Sequence, residues 1–131
     1  GALAAPPSAV IALVYLCVDV LEPLRALIGV PLRVNSGYRT PARNEAAGGA
    51  DASQHMRGEA CDLRPIRGGV VSSFDLDDLR AIVDEGIPFD QLILYGNGFL
   101  HVSHVAGAGR RQVLTTTATG GSAGPYLPWA P

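Results

Sequence analysis

Apolar residues near the start of the chain recur at helical spacing, and further on they alternate with polar ones. Val10, Leu13, Val14, Cys17, Leu21, Leu24 and Ile28 fall on one face of a helix. Ser8 stands where an N-cap belongs, and Pro6-Pro7 bars extension backwards. Pro23 predicts a kink or the start of a second helix, and Gly29 predicts an end. Leu32-Arg33-Val34-Asn35 alternates as a strand does. Residues 36–55 are rich in Gly, Ala and Asn, which predicts a loop with at most a short helix near Ala42–Ala46. Ala60–Leu63 reads as a second strand. Ser73 or Asp75 can cap a helix from about Leu76 to Glu85, which Gly86 and Pro88 stop. Gln91–Tyr95 and Phe99–His104 predict two strands joined through Gly96-Asn97-Gly98, and Arg111–Thr116 predicts another. The order predicts an α+β domain over residues 1–116, an antiparallel sheet packed by helices. A Gly/Ser/Pro-rich tail, 117–131, follows and carries Tyr126, Pro128 and Trp129. It reads either as disorder or as an arm that docks on a neighbouring subunit.

Composition narrows the classes of function. A chain of 131 residues, 47% hydrophobic and 17% charged, is large enough for one core and polar enough for a globular domain. A net charge of -2 with no basic stripe argues against nucleic acid as the partner. The apolar run from Val10 to Leu21 includes Asp19, meets Glu22 and Pro23, and falls short of the roughly 20 residues of a membrane span. No basic region precedes it, which speaks against a signal peptide and leaves lysis or a particle as the route of export. Cys17 and Cys61 leave both a disulfide and two buried thiols open, with buried thiols favoured.

The candidate chemistry lies in Ser53-Gln54-His55-Met56-Arg57-Gly58-Glu59-Ala60-Cys61-Asp62 and, far downstream, Phe99-Leu100-His101-Val102-Ser103. Two imidazoles and a carboxylate suit a three-ligand zinc site with one position open for a reactant. Alternation along a strand turns Asp62 and Cys61 to opposite faces, so Asp62 toward a metal puts Cys61 in the core. By the same rule His101 and Ser103 share a face and His104 takes the other, which makes His101 the better ligand. An isolated histidine is more often structural than a ligand; the whole string, with Ser36-Gly37-Tyr38-Arg39-Thr40 upstream, carries the metal reading.

These segments, in this order, resemble the D-alanyl-D-alanine carboxypeptidase family of zinc peptidases, which shares its fold with the hedgehog signalling domain. The likeness is greatest to the compact, often phage-encoded branch. Leu21-Glu22-Pro23-Leu24-Arg25, Asn44 with Gly48-Gly49-Ala50, and Phe89-Asp90-Gln91-Leu92-Ile93 complete it, from about residue 10 to 115. The resemblance implies His55, Asp62 and His101 as ligands of Zn2+. It implies Arg39 as a residue gripping the carboxylate or carbonyl of a peptidoglycan stem peptide, with Tyr38 and Ser53 beside it. It also implies a setting in a virion, among other virion proteins, or at the cell wall. A glutamate that serves the family as general base a few residues before the last histidine has no counterpart here. Tyr95 or Gly98 stands in its place. Tyr95 is a poor base that can donate a hydrogen bond, and Asp90 and Glu59 are the nearest carboxylates in sequence. Two functions follow: a peptidase of the wall, or a zinc-retaining module that binds it.

Overall fold

The computed structural model describes residues 5–50, 52–120 and 124–131. Helix α1 (Pro7–Leu16) starts with Pro6 at the cap position, and the backbone N–H groups of Ala9 and Val10 bond its carbonyl. Ser8 therefore lies inside the first turn and is not the cap. Pro7, with φ preset and no N–H to satisfy, initiates the helix earlier than the hydroxyl alone suggested. The helix continues through a widened π-turn (Cys17–Leu21) into α2 (Glu22–Ile28), which Gly29 closes with φ 77°. The wide turn comes immediately before Pro23, whose ring and missing N–H disrupt the regular ladder. The inward face is Leu16, Val20 and Leu24, with Leu13, Leu21, Leu27 and Ile28 packed against it. Val10, Val14 and Cys17, expected inside, are exposed. The segment is apolar nearly all round, so spacing could not select the buried stripe.

The strands are β1 (Leu32–Ser36), β2 (Ala60–Arg67), β3 (Val70–Val71), β4 (Gln91–Leu94), β5 (Leu100–Ser103), β6 (Gln112–Thr115) and β7 (Leu127–Pro128). Along the sheet the order is β1-β2-β5-β4-β6-β7, with β3 paired to β2. All described pairings are antiparallel except β4 with β6, which run parallel. β5 ends beside the start of β4, and the link skips past β4 so that β6 also starts there and runs parallel to it, a departure from the all-antiparallel expectation. Helix α3 (Pro41–Ala46) fills the long loop and is capped by Thr40. Helix α4 (Leu76–Glu85) has Asp75 at its cap, paired reciprocally with Asp78.

Helices cover one face of the sheet. Leu79 and Ile82 of α4 join Leu16, Val20 and Leu24 against Cys61, Leu63, Leu92, Leu100 and Val102. Alternation then sends Asp62, Ile93, Tyr95 and His101 to the other face, where they line a cavity of about 610 Å³. Cys61 lies in the core as expected, and its thiol is pushed up to about 12, mainly by burial. Both cysteines are free thiols, so of the two alternatives no disulfide forms; Cys17 is exposed where burial was expected. The tail folds back on its own sheet as β7, and the Trp129 N–H bonds the Val113 carbonyl at 2.9 Å. Among the described residues no helix is long and apolar enough to cross a membrane.

Candidate metal centre and its cavity

Asp62 on β2 and His101 on β5 are direct partners across antiparallel strands. That register alone puts a carboxylate beside an imidazole. His55 comes from a one-turn 3₁₀ helix (Gln54–Arg57) immediately before β2, and Ser53 caps that turn by accepting the His55 backbone N–H at 3.2 Å. Gly58 ends the turn with φ 71°, and any side chain there would strike the Ala9 backbone of α1. Helix α1 thus packs directly under the turn that carries His55.

One donor atom from each of His55, Asp62 and His101 lies within 4.8 Å of the other two. His55 Nε2 and His101 Nδ1 approach Asp62 Oδ1 to 3.3 and 3.1 Å. Zinc with bonds of about 2.0–2.1 Å has tetrahedral edges of about 3.3 Å, so these separations fit it. His55 Nδ1 is 2.9 Å from the Gly37 carbonyl. A carbonyl only accepts, so Nδ1 donates to it, which leaves Nε2 as the ring nitrogen that faces Asp62. The donor set therefore fits a zinc ion with a fourth position open to the cavity. Burial would raise the pKa of Asp62, but hydrogen bonds from His101 and His55 outweigh it and hold the carboxyl well below the usual range. Asp62 is thus a carboxylate, as a ligand must be.

Arg39 braces this centre. Its Nη2 donates to Asp62 Oδ2 at 3.1 Å, and its Nε donates to Ser36 Oγ at 3.0 Å. Buried Asn44 on α3 fixes the loop by donating to the Ala50 carbonyl at 2.8 Å. Arg39 lines the cavity while its guanidinium is ion-paired with Asp62. Ser53 lines the cavity too, but its hydroxyl serves the His55 backbone rather than a ligand ring. Tyr38, expected at the substrate, is not among the residues lining the cavity.

The two other expected catalytic residues take new parts. Asp90 is 2% exposed and accepts from Arg110 Nε and Nη2 at 3.0 and 2.8 Å, from the Arg110 backbone N–H, from Gln54 Nε2 and from Ser103 Oγ. Burial pushes its pKa up, and the Arg110 and Gln54 hydrogen bonds overcome that and lower it far below the usual carboxylate range. As a general base it fails twice over, being both saturated and weakly basic. Tyr95 is buried, its ring stacked on Phe99 at 4.1 Å and its hydroxyl 3.2 Å from that of Tyr126. Burial, then the bond with Tyr126, raise its pKa above that of an ordinary phenol. It is a neutral hydroxyl, not a base. Of the two residues that could stand for the glutamate, Tyr95 faces the cavity; Gly98 sits in a turn against Ser73. Glu59 lines a separate pocket with His104, and His104 bonds Asp19 and the Pro88 carbonyl, far from the donor set.

Sequence reasoning did not single out Arg110, and it marked Tyr126 only as part of the tail, not as a cavity residue. Arg110 follows a glycine-rich loop with no periodic pattern, and Tyr126 lies in the tail, where only its aromatic character marked it.

The His55/Asp62/His101 group on the open face of an α+β sheet, beside a cavity, is a candidate metal centre. A model of the family Peptidase M15 matches residues 2–103. The chain belongs to the M15 peptidases, the zinc D-alanyl-D-alanine carboxypeptidase type, and so to the metallopeptidases associated with peptidoglycan. A search of curated proteins returns no match.

Proposed function

We propose that the protein is a zinc-dependent peptidase of peptidoglycan stem peptides, acting as a D,D-carboxypeptidase or endopeptidase, with slow turnover. The observation that carries this reading is the His55/Asp62/His101 donor set opening into the cavity beside Arg39. Bound there, zinc supplies Lewis-acid polarisation of a scissile carbonyl and acidification of a water. The chain's own residues do the rest. Gly37 locks the His55 tautomer. Arg39 orients Asp62 through its Oδ2, and its edge toward the cavity attracts a peptide carboxylate. Tyr95 offers a neutral hydroxyl to developing negative charge but takes up no proton.

Turnover is slow on this reading because the carboxylates among the described lining residues are Asp62, spent on the metal set, and Asp90, neutralised by Arg110. A missing general base costs about 10²–10⁴ in rate. The compact branch that the chain resembles supports a phage or prophage product acting at the cell wall. The second reading, a wall-binding module of a virion that keeps its zinc, is favoured by Tyr95 in the place of a base.

The test is zinc content by elemental analysis, run with release of D-alanine or free amines from purified peptidoglycan. Zinc near one per chain, with slow release abolished in His55→Ala, is the expected result. Zinc without release selects the binding module. Absence of zinc refutes the ligand set on which both depend.

A further inference from the structure

The C-terminal segment places a side chain in the cavity, although it lies wholly outside the matched region 2–103. Three attachments seat it. β7 pairs with β6 through Thr115↔Leu127 and Leu114↔Pro128, the Trp129 N–H bonds the Val113 carbonyl, and Trp129 packs against the core. Upstream, the Gly96 N–H bonds the Ala118 carbonyl at 2.9 Å, and a Cβ at Gly96 would strike the backbone of Thr117. Thr117 and Ala118 therefore pass over the turn after Tyr95, and residues 124–131 lie along the sheet edge with Tyr126 at the cavity. There the Tyr126 ring meets Tyr95 edge-on at 6.1 Å and 87°, with the two hydroxyls 3.2 Å apart.

We infer that this segment is a strap that completes the substrate cavity, and that Tyr126 is a specificity-determining contact for the peptide held beside the metal centre. The inference rests on the peptidase reading and adds the residue and the ligand chemistry. Tyr95, Phe99 and Tyr126 give the cavity an aromatic surface suited to methyl and short alkyl groups. Arg39 pairs with Asp62, Arg110 with Asp90 and Arg57 with Glu59, so these charges balance and a bound metal ion would make the cavity net positive. The chemistry that satisfies both is a peptide of small aliphatic residues bearing carboxylates. Removing the strap's tyrosine takes away aromatic contact and a hydroxyl while the donor set, on β2, β5 and the 3₁₀ turn, stays intact.

The experiment is calorimetric titration of the zinc-loaded 131-residue chain with a synthetic stem pentapeptide, for wild type, Tyr126→Phe and Tyr126→Ala, with zinc content and melting temperature measured on each. Loss of the hydroxyl in Tyr126→Phe weakens the Kd by about three- to tenfold, and Tyr126→Ala by more than about tenfold, with zinc content unchanged. Tyr126→Phe keeps the ring and the β7 pairing, so it decides the matter if Tyr126→Ala does not fold. Wild-type affinity in Tyr126→Phe and in any folded Tyr126→Ala overturns the inference and leaves the peptidase reading standing. A wild-type chain that holds zinc but does not bind the pentapeptide overturns the reading, and the inference with it.

Discussion

Two aspartates line one cavity, both with carboxyls held well below the usual range, and they do opposite things. Asp62 is surrounded on one oxygen by imidazole nitrogens and on the other by Arg39. Asp90 is gripped by the guanidinium and backbone N–H of Arg110, with Gln54 and Ser103 filling the rest. An imidazole can turn a lone pair to a metal, whereas a guanidinium has none to give. The first cluster can therefore open around a cation. The second is closed and ties the segment carrying Arg110 to β4 and the 3₁₀ turn. A perturbed carboxyl marks a site only when its partners are themselves able to bind.

A third carboxylate in the same cavity is the sharpest probe of that contrast. Tyr95→Glu places one beside the metal set without a guanidinium closed around it, where burial raises its pKa toward a useful base. Peptide release rises by about 10²–10⁴ over wild type at unchanged zinc content, measured as amine liberated from peptidoglycan. No gain in a folded, zinc-loaded variant would favour the wall-binding module instead.

Next in size is the brace on Asp62. Arg39→Ala leaves the donor atoms in place but removes the charge that orients the carboxylate. Zinc affinity, read by competition with a chromogenic chelator, falls by about 10–100-fold.

The smallest effect on the metal belongs to Asp90→Asn. It loosens the Arg110 strut and lowers stability by about 1–3 kcal/mol in denaturant unfolding, with zinc affinity unchanged. The sign of its pH dependence follows from the depressed pKa. The stabilisation from Asp90 is complete above the unfolded-state value of about 3.9 and is lost as pH falls through the lower folded-state value. Melting temperatures of wild type and variant therefore converge as the pH is lowered below about 4. A zinc affinity that drops with Asp90→Asn would erase the distinction between the two clusters.

Much of the metal centre was legible in the chain because strand alternation is a local rule. Asp62 opposite Cys61, and His101 opposite His104, follow from period two alone, and the cavity face and core face divide as that rule requires. Helix α4 was equally readable, since Asp75, Gly86 and an amphipathic run mark both ends and one face. The first helix was not, because a segment apolar on nearly every side carries no phase, and the π-turn before Pro23 shifts whatever phase exists.

By itself the sequence determined the α+β class and the strand faces, matters of residue type and short-range period, while the three candidate ligands and the missing glutamate came from its resemblance to a family. Only the tertiary structure decided that Asp90 is a strut, that Arg39 braces a ligand, that β6 runs parallel to β4, and that the tail returns Tyr126 to the cavity. Those outcomes depend on partners distant in the chain, such as Asp90 with Arg110 and Tyr95 with Tyr126. No periodicity along a single strand or helix encodes such a pairing, because the packed core and sheet register bring the partners together.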